Sequence, residues 1–226
     1  MKSAPLLLVA LFSTVATGAS VTYDGDVFPE DVGWERVGSG YVLRTLEAGF
    51  LVQVGEEIGF LDGYRRSLTD FVGGETFFIE WRVETDAPSS LLDVSGTPVV
   101  VVLGGSGAAF YHTTITDSRV QLYRDTGIPL VYVDIEAGIP HTYRVELQGT
   151  ASYAWYIDGE LVDSGVPEGP YPTTDPQVIW SIRHYEIGNT TRWDYLKYGE
   201  IPEPGTVVLL LAGAACIAWR HRRSCG

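Results

Sequence analysis

The run Thr76–Thr85 (TFFIEWRVET) alternates with a period of two. Phe77, Ile79, Trp81 and Val83 fall on one side, and Phe78, Glu80, Arg82 and Glu84 on the other. Successive side chains of an extended chain point to opposite faces, so this pattern fits a strand that meets a core on one face and water on the other. The same period recurs at Thr142–Leu147, where Tyr143, Val145 and Leu147 alternate with Thr142, Arg144 and Glu146, and around Phe50, Val52 and Val54. Val99–Leu103, an unbroken apolar run between Pro98 and Gly104-Gly105, suits a strand buried on both faces. Shorter strands are predicted at 34–37, 41–46, 119–124, 130–135, 153–157, 160–163, 178–187 and 192–198. Tyr23–Asp26 reads as a turn or strand edge, and the proline-rich stretch Gly165–Pro176 as a loop. No strong helix signal stands between residues 21 and 200. About twelve short strands in roughly 180 residues predict an all-β fold, an antiparallel two-sheet sandwich.

The segment His141–Gly165 (HTYRVELQGTASYAWYIDGELVDSG) is more particular. Asp158-Gly159, flanked by alternating runs, is a strong hairpin signal because glycine accepts positive φ at little cost. A strand, a second strand bearing Trp155, an Asp-Gly turn and a returning strand together resemble part of the concanavalin A-like lectin/glucanase and laminin-G-like jelly rolls. Trp193–Gly199 (WDYLKYG) resembles the last strand of such domains. The resemblance implies a jelly-roll sandwich over most of residues 21–199. It does not by itself imply an activity, since one fold hosts lectins, hydrolases and adhesion modules alike.

The two ends differ from this body. Met1–Ser20 has one lysine, an apolar run from Leu6 to Phe12 and small residues from Ala16 to Ser20. It reads as a secretory signal peptide, cut near Gly18 or Ala19. At the other end, Pro202-Glu203-Pro204-Gly205 is followed by an uncharged segment, Thr206–Trp219, and then by Arg220-His221-Arg222-Arg223. Proline fixes φ and lacks an N–H, so the motif stops the preceding strand. Residues 206–219 as a helix reach roughly 21 Å, short of the ~30 Å hydrocarbon core. That length alone also fits a buried core helix. Arginines that snorkel back and an interfacial Trp219 favour a membrane helix. The basic end then lies in the cytoplasm and the body outside.

This order of parts, over about the last 25 residues, resembles the PEP-CTERM sorting signal. The resemblance implies recognition by an exosortase, a membrane protease/transpeptidase of Gram-negative bacteria, and delivery to the envelope or exopolysaccharide. Pro202, Glu203, Pro204, Gly205, Arg220, Arg222 and Arg223 are the matching residues. The chain departs from the plainest form of the signal by ending in Ser224-Cys225-Gly226.

Charge and cysteine content narrow the body's chemistry. The chain has 29 acidic and 15 basic residues, a net charge of −14. Lys2, Arg220, Arg222 and Arg223 lie at the ends, so residues 21–204 carry a charge of −18. Such a surface repels phosphate backbones and argues against a nucleic-acid partner. Both cysteines, Cys216 and Cys225, lie in the tail, so the body has no disulfide, thiolate metal site or cysteine nucleophile.

Candidate sites are few. Glycoside hydrolysis needs two carboxylates about 5 to 9.5 Å apart. Positions i and i+2 on a strand are about 6.6 Å apart, which Asp134/Glu136 and Asp24/Asp26 satisfy. Glu80 and Glu84 lie roughly 13 Å apart with Arg82 between them as an ion partner. No E-x-D-x-x-E-like strand and no Gly-x-Ser-x-Gly elbow is present, and His112, His141 and His184 stand apart in sequence. Solvated charged edges explain these pairs without catalysis. No cofactor is expected. Calcium held by scattered carboxylates stays open, with Asp24, Asp26 and Asp194 as candidate ligands. Polysaccharide binding would use exposed rings, for which Tyr64, Tyr111 and Tyr171 are the loop candidates, whereas Trp81, Trp155 and Trp180 are expected in the core. The expectation is thus a non-catalytic carbohydrate-binding or structural module, with a secreted glycan-active hydrolase as the alternative.

Overall fold

Alternation of apolar and polar residues gives strands throughout the body. The computed structural model describes residues 20–38, 42–56, 61–68, 76–88, 97–103, 109–123, 129–148, 151–166, 177–183 and 188–201. The expected signal peptide, apart from Ser20, and the tail beyond Ile201 lie outside the described residues. Among the described residues no helix is long and apolar enough to cross a membrane.

Fifteen strands are described. The first five are β1 (Ser20–Asp24), β2 (Glu35–Gly38), β3 (Val42–Glu47), β4 (Phe50–Gly55) and β5 (Leu61–Ser67). They are followed by β6 (Thr76–Thr85), β7 (Thr97–Leu103), β8 (Ala109–Ile115), β9 (Arg119–Tyr123) and β10 (Pro129–Asp134). The last five are β11 (His141–Gln148), β12 (Ser152–Ile157), β13 (Glu160–Gly165), β14 (Gln177–Arg183) and β15 (Thr190–Glu200). One turn of 3-10 helix, Pro29–Val32, precedes β2. All pairings are antiparallel. One sheet runs β13-β12-β11-β6-β15-β4-β3, with β1 also paired to β15; the other runs β10-β9-β8-β7-β14-β5-β2.

The all-β antiparallel sandwich is as the sequence predicts, and β6 alternates in burial along its whole length. Three strands escape the pattern. β5 (LDGYRRS) turns Asp62 and Tyr64 inward, so its buried face does not read as apolar. In β8 the polar Thr113 is buried beside Ile115, and the same alternation is blurred. β1 starts at Ser20, the last residue of the expected signal segment, and Tyr23 is a buried strand residue rather than part of a turn.

Trp180 of β14 is the hub of the core. Its ring lies 4.6 Å from Trp193 of β15 in the opposite sheet, 4.8 Å from Tyr64, 5.2 Å from Tyr23 and 5.8 Å from Trp34. Tilted and edge-on aromatic pairs of this kind contribute about 0.5–1.5 kcal/mol each beyond the area they bury. β15 carries a bulge at Asp194, because Trp193 pairs with Val83 and Tyr195 with Arg82. The bulged Asp194 carbonyl accepts the Gly25 N–H at 2.6 Å. A Cβ on Gly25 would lie 2.3 Å from the Trp193 carbonyl oxygen and 2.7 Å from those of Asp194 and Gly49, so only glycine fits.

Candidate functional site

Among the described residues a concavity lies where the end of β10 meets the β12–β13 hairpin. The hairpin turns through Asp158 and Gly159 at φ +50° and +82°, the two-residue geometry that Asp-Gly favours. The β11–β12 register pairs Tyr143 with Ile157 and so brings Asp158 alongside the start of β11. The resulting pocket has a volume of about 370 Å³. Val133, Ile135, Ile157 and Val162 supply its apolar walls. Asp134 and Glu136 stand on the β10 side, Asp158 and Glu160 on the hairpin side, and His141 lines it from β11.

His141 ties these parts together. Its Nδ1 is 2.6 Å from an Asp158 carboxylate oxygen, and its Nε2 is 2.9 Å from the Glu136 carbonyl oxygen. The other Asp158 oxygen accepts the Thr142 N–H at 2.9 Å. A buried ring thereby fixes the β10–β11 loop and the hairpin turn at a set separation. Asp134 pairs with Arg119 at 2.8 Å. Among the described residues the carboxylates of Glu136 and Glu160 make no hydrogen bond or ion pair, which leaves both available as acceptors.

A second polar constellation covers the outer face of the β1-containing sheet. Glu80 of β6 accepts Lys197 Nζ at 2.7 Å, Tyr195 Oη at 2.8 Å and Arg144 Nη1 at 3.0 Å. Burial works to raise the Glu80 carboxyl, but these three donors outweigh it and hold the group below the usual carboxylate range. Arg144 also bonds Glu146 at 2.9 Å, and its guanidinium lies 4.4 Å from the centre of the Phe78 ring. Glu84 faces Arg192 at 3.6 Å. Glu80 and Glu84 are thus each matched to a cation and not to one another.

Several expected site residues stand elsewhere than the sequence places them. Tyr64 is not an exposed loop ring. It lies in β5, is fully buried against Trp180, and its hydroxyl accepts from Arg44. Tyr111 lies within β8 opposite Val101, not on a loop. Tyr171 and the sorting residues Pro202, Glu203, Pro204, Gly205, Arg220, Arg222 and Arg223 lie outside the described residues. Asp24 and Asp26 are exposed near the bulge, but Asp194 spends its carboxylate on Arg82 at 2.6 Å. Among the described residues no three histidines, cysteines or acids are grouped to hold a metal.

The sequence missed His141 as a site residue, because its partners come from a loop and a turn. The β11–β12 hairpin register was the signal that could have found it. The Asp134/Glu136 pair was found, but not the second pair of carboxylates across the pocket.

Comparison with known proteins separates the tail from the body. The PEP-CTERM protein-sorting motif matches residues 200–223. No curated protein matches the chain by sequence. Among solved structures, a sialidase is similar with a TM-score of 0.57 and 12% identity, over 80% of this chain and 18% of that one. This chain therefore spans under a fifth of the sialidase. Arcelin-5, a lectin-like defence protein from Phaseolus vulgaris, is similar with a TM-score of 0.54 and 9% identity, over 81% and 99% of the two chains. A Bacillus licheniformis β-glucanase gives 0.52 and 13% over 82% and 100%. At such identities the likeness is one of fold. The chain carries a PEP-CTERM sorting motif at residues 200–223, preceded in sequence by a β-sandwich whose fold is similar to that of the lectin-like arcelin-5 and of the β-glucanase.

Proposed function

We propose that this is an exported envelope or extracellular-matrix protein, delivered by its tail and built around a non-catalytic carbohydrate-binding or structural body. The observation that carries the reading is the PEP-CTERM motif, which starts at Glu200, the last residue of β15. An N-terminal signal peptide starts export, and a cut after Gly18 or Ala19 leaves β1 whole. An exosortase then recognises Pro202, Glu203, Pro204 and Gly205. The 206–219 segment spans the inner membrane until sorting, with Arg220, Arg222 and Arg223 on the cytoplasmic side. The fold shared with lectins and the pocket's apolar walls and acceptor carboxylates support a hydroxyl-rich ligand.

The test compares the full chain with one ending at Ile201, which keeps the last backbone bond of the sheet, from the Ile201 N–H to the Thr76 carbonyl. Cell fractionation and mass spectrometry of the mature C-terminus should show the full chain processed and in the envelope or medium, and the shortened one misrouted. Identical location and attachment of both would overturn the proposal.

The pocket also supports a second reading, a glycan-active hydrolase, because carboxylates stand on two opposed walls as acid–base hydrolysis requires. Release of reducing ends from a glycan panel, abolished by Glu136→Gln or Glu160→Gln, would establish it. Turnover unaffected by both substitutions would exclude this pocket.

A further inference from the structure

His141 is bonded on both ring nitrogens, and neither partner has a proton to give. Nδ1 lies 2.6 Å from an Asp158 carboxylate oxygen, and Nε2 lies 2.9 Å from the Glu136 backbone carbonyl. The second Asp158 oxygen accepts the Thr142 N–H, so both oxygens of that carboxylate act as acceptors. A neutral imidazole carries one N–H and one lone pair. It satisfies one partner and turns a lone pair on the other. Only the imidazolium, with an N–H on each nitrogen, makes both bonds at once. The residue is 6% exposed, so water has little access to replace the bond that a neutral ring gives up.

The two bonds span the pocket. Glu136 follows β10, the edge strand of one sheet, and Asp158 sits in the β12–β13 turn of the other. The segment 135–140 is anchored at its start by the Ile135 N–H on the Ser118 carbonyl, at 2.9 Å, and at its end by the His141 ring. Charge works in the same direction. Asp134 of β10 is bonded to Arg119. Among the described residues Glu136 on the loop, Glu160 on β13 and Asp158 in the turn have no cation beside them except the ring. From β11, Tyr143 lies 6.4 Å from the ring centre, and burial keeps its phenol neutral. From β6, the uncharged Val83 stands opposite. Loss of the ring's charge therefore removes one bond and leaves three acids lining one cavity without a counter-charge.

We propose that His141 is a proton-operated latch on the pocket: the imidazolium ties the loop to the hairpin turn, and the neutral ring lets them part. Histidine is the side chain whose charge ordinarily changes between about pH 5 and 8, so acid closes the latch and mild alkali releases it. The latch sets the width of the pocket and holds whether or not the pocket takes a carbohydrate. On the export reading above, it makes the pocket answer to the pH outside the cell.

The test is amide exchange of the full chain, purified in detergent, at about pH 5.5 and about pH 8. Each rate is referred to that of an unstructured peptide at the same pH. Protection at residues 135–140 and 158–160 should be about tenfold lower at the higher pH, and the loss should follow the titration of the His141 ring in its NMR signals. β6 and β15 should keep their protection at both. Asp158→Asn separates the latch from a merely structural ring. Its carboxamide oxygen still accepts the Thr142 N–H, while its NH2 donates to Nδ1 of a neutral ring and leaves the Nε2–H for the Glu136 carbonyl. The latch should then stay closed at both pH values, whereas in His141→Ala it should be open at both. Protection in the parent that does not change with pH would overturn the proposal. So would a pH-dependent loss that persists in Asp158→Asn or in His141→Ala.

Discussion

Gln53 and Asp62 join the two sheets through the core: the Gln53 amide of β4 donates to the Asp62 carboxylate of β5 at 3.3 Å, and both side chains are fully buried. The relay extends both ways. Trp193 Nε1 donates to the Gln53 carbonyl at 2.9 Å, and Arg36 Nε donates to Asp62 at 2.8 Å. Asp62→Ala orphans Gln53 and Arg36 together, and breaking a buried pair costs about 3 kcal/mol. Denaturant unfolding should show this loss, and Asp62→Asn, which keeps the shape and an acceptor, should show less.

Gly25→Ala should be as damaging as removing a core side chain. Three backbone carbonyl oxygens surround the position its Cβ would take, and none can move without disturbing β15 or the β3–β4 turn. A loss of about 3 kcal/mol is expected, at the upper end for overpacking. Gly49→Ala, at φ +87° with open space around it, should cost only the smaller strain of its backbone conformation.

Acid should weaken the fold through Glu80. Its carboxyl titrates lower in the folded state than the ordinary value of 4.5 because Lys197, Arg144 and Tyr195 stabilise the ionised form against the opposing effect of burial. A depressed folded value means that the stabilisation is complete above about 4.5 and is lost as pH falls through the folded value. Thermal unfolding followed below pH 5 should therefore show a downward slope, and Glu80→Gln should flatten it while lowering stability at pH 7.

Alkali should act through the buried tyrosines. Burial pushes Tyr64 up to about 12 despite the Arg44 hydrogen bond, and pushes Tyr195 to about 12 with help from its bond to Glu80. Burial drives Tyr23 and Tyr143 higher still. The folded state favours the neutral phenol, so its stabilisation is complete below about 10 and fades as pH rises from 10 towards 12. Tyrosinate absorbance should rise together with loss of the tryptophan near-UV signal rather than ahead of it.

His141→Ala should loosen the pocket without unfolding the sheets. The ring's two bonds hold the Glu136 carbonyl and Asp158, one on each side of the cavity. Amide exchange should accelerate at residues 135–140 and 158–160 and stay slow in β6 and β15.

Much of the fold was legible in the sequence because the inward positions of β6, β11 and β12 are apolar or aromatic apart from Thr85 and His141 at the strand ends. β5 was not, because its inward Asp62 is stable only with Arg36 and Gln53, which lie 26 and 9 residues away in the chain. Tyr64 read as a surface ring for the same reason: its neighbours Asp62, Arg65 and Arg66 suggest a loop, and only the strand register turns it inward. The Glu80–Arg82–Glu84 spacing was visible, but Lys197 and Tyr195, which fix Glu80, come from the far end of the chain. The tail motif was legible in full, being a contiguous address that needs no fold to be recognised.

β15 has a mechanical consequence. It lies in mid-sheet, pairs with β6 over most of its length, and is followed in sequence by the tail. A pull on residue 202 along the strand axis loads these backbone bonds in shear, all at once, rather than peeling them one by one. Such a strand yields only when the whole ladder gives way, so the body would be drawn along as a rigid load by any machine that grips its C-terminal end.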